Sequence, residues 1–159
     1  IRRTMQLTKA RVGRLPLTTP LRRLDGIAYW VIEDPDEIYD FINSQIRKEW
    51  TADAKHEGRN PHEDPWLQEL PKRKWHLAIL RLGEIKPNPY EFIPKTGYNF
   101  EEKLARRSKE LQAAVETYAS VIWPVIVRQE DMQLVDGYCR YTTLQAMNVP
   151  RIYAYVGTL

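Results

Sequence analysis

The sequence has 159 residues and a formal net charge of +3, with 43% hydrophobic residues, 28% charged residues, five Trp and nine Tyr. This composition is typical of a folded domain and excludes a mainly disordered chain, and the single cysteine excludes an internal disulfide and a thiolate metal cluster. No apolar run approaches the roughly 18 residues of a membrane span and no signal-peptide pattern opens the chain, so we expect a cytoplasmic protein with no membrane partner.

The first 23 residues form a basic arm. They contain seven Lys or Arg and no Asp or Glu. Two interpretations remain open: contact with DNA phosphates or another acidic partner, or a solvated extension that lies over the surface. The residues that would contact DNA are Arg2, Arg3, Lys9, Arg11, Arg14, Arg22 and Arg23.

A strand and a helix are predicted after the arm. Residues 26–33, "GIAYWVIE", are β-branched and aromatic without strict alternation, which favours a strand covered on both faces. Asp34 then has the features of a helix N-cap, with Pro35 at the first helical position and Glu37 three residues after the cap. This helix is expected to pack on the strand through one apolar face, which contains Ile38, Phe41, Ile42 and Ile46.

Residues 51–75 are polar and rich in Pro, His and Trp, so the pattern predicts a long loop or linker. His56 and His62 lie here among Asp and Glu residues, which indicates either a metal site or a charged exposed loop; their spacing matches no defined metal motif. Trp50, Trp66 and Trp75 flank the segment, and they either stack nucleic-acid bases or pack the extension onto the core.

From residue 76 the elements are clearer. Residues 76–82 are a predicted strand, and residues 83–97, with three prolines, are a predicted loop. A helix over 100–118 follows, with Asn99 as its cap and Glu102 at the capping-box position. Its apolar face is predicted to contain Leu104, Leu111, Val115 and Tyr118.

Residues 121–157 are predicted to form two strands, a helix and a final strand. Residues 121–128 form a strand in which Pro124 is expected at a sheet edge or a bulge, because it has no N–H for the ladder. A short strand over 132–136 precedes a helix over 138–148 that stops at Asn148, before Pro150. A final strand covers 151–157.

The junction between the strand ending at Asp136 and the helix starting at Tyr138 has the chemistry of a phosphate site. The first N–H groups of a helix lack intrahelical acceptors, and Gly137 has no Cβ to keep a ligand away from the backbone. Arg140 adds a planar set of donors for phosphate oxygens. Asp136 has three open roles: helix cap, Mg²⁺ ligand or proton acceptor.

The motifs "EIKPNP", "WPVIVR" and "LVDGYCRYTTLQAMNVP", with the elements around them, resemble the ParB N-terminal domain and sulfiredoxin superfamily, which includes free serine kinases. The last motif is similar to the Asp-Gly-His-His-Arg type box of that superfamily. The resemblance covers residues 76–157. It implies an α/β (α+β) fold in which helices pack on a mixed sheet, with a core over 76–159 and a strand-helix extension over 1–75.

The resemblance also implies a site. Gly137 and Arg140, with the amides of Tyr138 and Cys139, would bind nucleoside triphosphate phosphates, and Asp136 would bind Mg²⁺ or act as a base. Glu91 is the nearest match to the glutamate that looks like the catalytic base in the free serine kinases. The expected activity is hydrolysis of a nucleoside triphosphate or phosphoryl transfer from it.

Departures from the superfamily pattern narrow this expectation. Sulfiredoxin has its reactive cysteine directly after the glycine, a place that Tyr138 occupies here, so sulfiredoxin chemistry is not expected. Tyr138 and Cys139 also replace both histidines of the kinase-like box, which removes acid-base help from the box. The alternatives are a DNA-binding or nuclease-type accessory protein that uses the basic arm, and a module that binds nucleotide only as a regulatory ligand.

Overall fold

The computed structural model describes residues 20–92 and 99–159. The strands are β1 Leu21–Leu24, β2 Ile27–Trp30, β3 Lys74–Arg81, β4 Lys86–Pro87, β5 Val125–Arg128, β6 Gln133–Asp136 and β7 Arg151–Thr158. The helices are α1 Pro35–Phe41, α2 Arg47–His56, α3 Pro65–Glu69, α4 Phe100–Tyr118 and α5 Tyr138–Ala146, and a π-helical turn, Ile42–Ile46, joins α1 to α2. This is the mixed fold of helices and sheet that the sequence predicts.

The predicted strand and helix at the start of the described chain are confirmed. β2 forms an antiparallel hairpin with β1, a partner that the sequence analysis did not identify. Asp34 caps α1, since its Oδ2 accepts a hydrogen bond from the Glu37 N–H at 3.0 Å, and Pro35 occupies the first turn. The predicted apolar face is buried throughout, and its residues are Ile38, Phe41, Ile42 and Ile46.

The prediction of a long loop over 51–75 is wrong. α2 continues to His56, and Asp64 starts α3 by accepting hydrogen bonds from the N–H groups of Trp66 and Leu67. Short 3₁₀ turns at Pro61–Glu63 and Leu70–Lys72 complete the segment, which is followed directly by β3. These elements were not predicted because each is short and buries only a few side chains in a polar segment. The buried side chains are Ala54, Trp66, Leu67 and Leu70.

Within the described residues, five strands form one mixed sheet in the order β3-β7-β5-β6-β4. β7 pairs antiparallel with β3 and parallel with β5, while β6 pairs antiparallel with β5 and parallel with β4. Pro124 was expected at an edge or a bulge. It lies instead directly before the first residue of β5, an internal strand, where no ladder N–H is required of it.

Both faces of the sheet are buried at β5, β6 and β7, and alternate residues of these three strands belong to different clusters. Ile152, Ala154 and Val156 of β7 belong to the cluster that also contains Leu144 of α5, whereas Tyr155 belongs to the cluster on the opposite face. That second cluster is built largely from α1, the π turn and α3. The extension and the core therefore share a hydrophobic interior, in which the Phe41 ring stacks on Trp123 at a centroid distance of 4.9 Å.

α4 begins at Phe100 and ends at Tyr118, as predicted, but it lies close to the surface. Leu111 and Val115 are half-buried and pack on the α5 side of the sheet. Tyr118 does not belong to the apolar face, since it is 67% exposed. The Asn99 side chain makes no capping bond to the backbone; it donates to the Glu102 carboxylate. Within the described ranges, every helix is too short or too polar to span a bilayer.

Candidate functional site

The turn between β6 and α5 is built around Gly137. This residue has φ +101°, a left-handed conformation that strongly favours glycine, and it directly precedes the first residue of α5. A Cβ at this position would lie 2.6 Å from Cγ1 of Val125, a fully buried residue of the neighbouring strand. Close packing of the turn on β5 is therefore one reason for a glycine here, independent of any ligand.

No side chain of a described residue caps the first turn of α5. The first helical bond runs from the Tyr141 N–H to the Gly137 carbonyl at 2.9 Å, so the preceding amides, those of Tyr138, Cys139 and Arg140, lie before the intrahelical ladder. Asp136 does not act as a cap, which removes the simplest of the three roles that the sequence left open. The arrangement has the N–H groups and the dipole direction that favour an anion.

The Arg140 side chain is bound by backbone carbonyls and by a carboxylate of the same chain. Its Nη1 donates to the carbonyls of Trp123 and Pro124 at 3.0 and 2.8 Å, and its Nη2 lies 3.6 Å from Asp136 Oδ2. Its side chain is 21% exposed. The guanidinium thus satisfies two carbonyls at the entry to β5, where Pro124 interrupts regular pairing. It contributes positive charge beside the turn while also fixing β5 against α5.

Tyr138 connects the turn to the loop after β4. Its hydroxyl donates to the Leu134 carbonyl at 2.6 Å and accepts from the Asn88 N–H at 3.0 Å. Burial raises the pKa of this hydroxyl above its ordinary value of 10. Gln133 donates from Nε2 to the Asn88 carbonyl at 3.1 Å. The structure therefore brings together two motifs that are about 50 residues apart in the sequence, "EIKPNP" and "LVDGYCR".

Glu91 belongs to a different group of charges. Both of its carboxylate oxygens accept from Nη2 of Arg128, at 2.9 and 3.0 Å, and the same guanidinium binds Asp131. The hydrogen bond to Asp131 is the main cause of the raised pKa of Arg128. Arg128 pairs with Gln133 at the start of β6, whereas Asp136 ends that strand. The structure does not bring Glu91 and Asp136 into contact.

An aromatic group beside the turn was not identified from the sequence. The Phe100 ring lies 5.7 Å from the Tyr138 ring and 6.2 Å from the Tyr90 ring, both edge to face. The Tyr90 hydroxyl donates to Glu101 at 3.0 Å. This arrangement places the N-termini of α4 and α5 at the same end of the domain. The three residues are distant in the sequence, so their aromatic character was the only feature of the sequence that indicated these contacts.

The other predicted sites are accounted for by structural contacts where the chain is described. Trp66 and Trp75 are buried against each other, at a centroid distance of 6.4 Å, so the structure favours packing over base stacking. Arg59 pairs with Glu57 and Asp64, two of the acids near the histidines. In residues 20–92 and 99–159, no three His, Cys, Asp or Glu side chains are placed to hold a metal ion.

Two of the basic-arm residues can be described. Arg22 pairs with Glu33 at 2.8 Å, and Arg23 is exposed on the same strand. The other predicted DNA contacts lie outside the described residues; they are Arg2, Arg3, Lys9, Arg11 and Arg14.

Comparison with known proteins shows a distant likeness to a solved structure. No protein-family model matches the chain, and no curated protein matches it significantly. The chain is similar to the solved structure of a Pnob8-like ParB-N domain, with 12% identity and a TM-score of 0.39. The alignment covers 55% of this chain and 30% of that chain. The chain thus spans less than a third of that structure, and the likeness assigns no activity to it.

Proposed function

We propose that the β6–α5 turn binds the phosphates of a nucleoside triphosphate. The observation that carries the proposal is the uncapped N-terminus of α5 behind the left-handed Gly137, where the amides of Tyr138, Cys139 and Arg140 have no capping side chain in the described part of the chain. The resemblance of "LVDGYCR" to the nucleotide-binding box of the ParB and sulfiredoxin superfamily supports the same ligand. Phosphate is one of the anions that helix N-termini bind.

The proposal divides the roles among the residues at the turn. The three backbone amides would donate to phosphate oxygens, while the Arg140 guanidinium, held beside them, supplies positive charge. Asp136 would provide one carboxylate oxygen for Mg²⁺, and the phosphates would provide further oxygens, which is how Mg²⁺ usually binds beside nucleotides. The bound ion would neutralise phosphate charge. Turnover, by hydrolysis or phosphoryl transfer, is part of the proposal and needs its own test.

The sharpest test of phosphate binding leaves Gly137 and Arg140 intact, because both also support the fold. Cys139→Asp places a carboxylate in the first turn of α5, where it competes with phosphate for the amides and also suits the helix dipole. We expect nucleoside triphosphate affinity to fall about tenfold or more, with no loss of stability. Isothermal titration with ATP, ADP and CTP in the presence of Mg²⁺ measures the affinity, and thermal unfolding checks the fold.

The matched control is Cys139→Asn, which has nearly the same shape as the aspartate variant but no charge. It should bind nucleotide within about twofold of the parent protein. Amide resonances of Tyr138, Cys139 and Arg140 should shift on titration of the parent. Equal affinities for the Asp and Asn variants, or no binding of any nucleotide by the parent, would show that this turn is not the site.

The role of Glu91 as a base is a separate prediction. If Glu91 accepts a proton from the phosphate acceptor, Glu91→Gln should lower turnover about 100-fold while nucleotide affinity stays unchanged. Asp131→Asn is the control, since it removes the other carboxylate that binds Arg128. Equal turnover in the two variants would mean that Glu91 only pairs with Arg128.

The basic arm carries the second proposed function, which is binding of DNA phosphates. Its support is the charge of residues 1–23 together with Arg23, which is exposed and makes no ion pair within the described residues. Arg22 is already engaged by Glu33. Replacement of Arg2, Arg3, Lys9, Arg11 and Arg14 by Gln tests this function in the DNA titration described below.

A further inference from the structure

The exposed side of α2 and the π turn before it carries a row of cations that form no ion pair with any residue in the described ranges. We call this surface the α2 basic face; it consists of Ser44, Arg47, Lys48, Thr51 and Lys55. A surface cavity of about 400 Å³ lies against it, lined also by Asn43 and Ala52, and no carboxylate contributes to that lining among the described residues. The residues recur every three to four positions, so they occupy one side of the helix.

The charge of this face is not compensated locally. Arg47, Lys48 and Lys55 form no ion pair within the described residues, and none of them has an Asp or Glu three or four positions away on the helix. Other cations differ: Arg73 and Arg128, for example, each bind two carboxylates. On α4, Arg106 has Glu at both i−4 and i+4. The α2 basic face is therefore a local source of positive potential.

We propose that the α2 basic face binds the phosphate backbone of a nucleic acid. Lys and Arg beside Ser, Thr and Asn are the side chains that contact phosphates and sugars without reading bases. From Ser44 to Lys55 the face runs about 16 Å along the helix, a length that covers several phosphates of one strand. The π turn at its start interrupts the regular helix, as such turns often do at functional sites.

An acidic protein partner fits this face less well. Stable protein interfaces have an apolar, usually aromatic, centre surrounded by a polar rim. The lining of the cavity contains Ala52 as its one apolar side chain among the described residues, and the buried isoleucines of the π turn, Ile42 and Ile46, point to the opposite side. Charge without an apolar centre is the pattern of a backbone contact to nucleic acid.

The test is a fluorescence-anisotropy titration of the full chain with a labelled 20-base-pair duplex and its single strand, at several salt concentrations and without nucleotide. Three replacements, Arg47→Gln, Lys48→Gln and Lys55→Gln, should together weaken binding about tenfold or more and lower the slope of log affinity against log salt by about 2 to 3. The combined control is Arg106→Gln, Arg107→Gln and Lys109→Gln, which removes the same charge from exposed positions on α4 and should change affinity about threefold or less.

Each other outcome counts against the proposal. Equal losses for the two sets of replacements would show an effect of net charge only. Full loss on neutralising the arm, with no effect at α2, would assign binding to the arm alone. Binding of poly-glutamate with no binding of duplex or single strand would assign the face to an acidic protein. The Cys139→Asp variant should bind nucleic acid like the parent, which keeps this inference separate from the nucleotide site.

Discussion

Replacing Gly137 with alanine is expected to lower the free energy of unfolding by about 3 kcal/mol. Part of this cost, about 1–2 kcal/mol, comes from placing a residue with a Cβ in a left-handed conformation. The rest comes from overlap, since the new Cβ would lie 2.6 Å from Val125 Cγ1 and 3.0 Å from Val125 Cβ, in a site with no free space. Urea denaturation followed by circular dichroism measures the change.

Gly26→Ala is the matched control for this prediction. Gly26 also has a positive φ, +83°, but no atom lies within 4 Å of the position that its Cβ would take. Its replacement should therefore cost about 1–2 kcal/mol, the conformational part alone. Combining Gly137→Ala with Val125→Ala should recover part of the loss in a double-mutant cycle. Equal costs at the two glycines would show that packing on β5 does not require a glycine at 137.

Replacing Arg73 with methionine is expected to cost about 2–3 kcal/mol of stability. The Arg73 side chain is fully buried, yet it binds Glu130 at 2.6 Å, Glu69 at 3.1 Å and the Gly157 carbonyl at 3.0 Å. It thereby joins α3, the β5–β6 turn and the end of β7. Methionine keeps much of the aliphatic volume but leaves the carbonyl without this donor. The cost is below that of a fully buried ion pair because both carboxylates reach solvent.

The effect of Arg73→Met should depend on pH. The hydrogen bond from Arg73 holds the pKa of Glu130 below its ordinary value of 4.5. A group whose pKa is lower in the folded protein stabilises the fold above its unfolded pKa, and this contribution disappears as the pH falls through the folded pKa. The difference between parent and variant should therefore be constant near neutral pH and shrink below pH 4.5. Unfolding measured from pH 7 to pH 3 tests this.

The control for Arg73 is Arg81→Met. Arg81 also pairs with a glutamate, Glu84 at 2.9 Å, but its side chain is 76% exposed. Surface ion pairs contribute little, so this replacement should change stability by about 0.5 kcal/mol or less. If both variants lose the same small amount, the Arg73 contacts do not hold the three elements together.

Local sequence patterns predicted most of the elements. The Asp34 cap, the four buried positions of α1 and the π turn, and the β6–α5 junction follow from residues within a few positions of one another. Predictions failed where the burial of a residue depends on contacts with residues that are distant in the sequence. Residues 51–75 contain α3 because Trp66 and Leu67 pack against the sheet, and Tyr118 is exposed because α4 ends beyond the core.

Some features of the candidate site are also predictable from local sequence, and others depend on the tertiary structure. From the sequence alone, the turn at Gly137 and the helix start after it are predictable, because backbone conformation and capping depend on neighbours along the chain. The resemblance implied that Arg140 binds phosphate and that Glu91 is the nearest match to a catalytic base. Only the tertiary structure decides that Arg140 binds the carbonyls of residues 123 and 124, that Glu91 pairs with Arg128, and that Tyr138 holds Asn88.

The α2 basic face could not be predicted from the sequence alone. The sequence by itself determined a helix start at Asp34, a glycine turn at 137 and a mixed fold, since these depend on local spacing and on apolar periodicity. It did not determine that α2 extends to His56 with three cations on one exposed side, which follows from how the helix packs on the sheet. Side chains far apart in the chain meet according to strand order and helix packing, which no local pattern specifies.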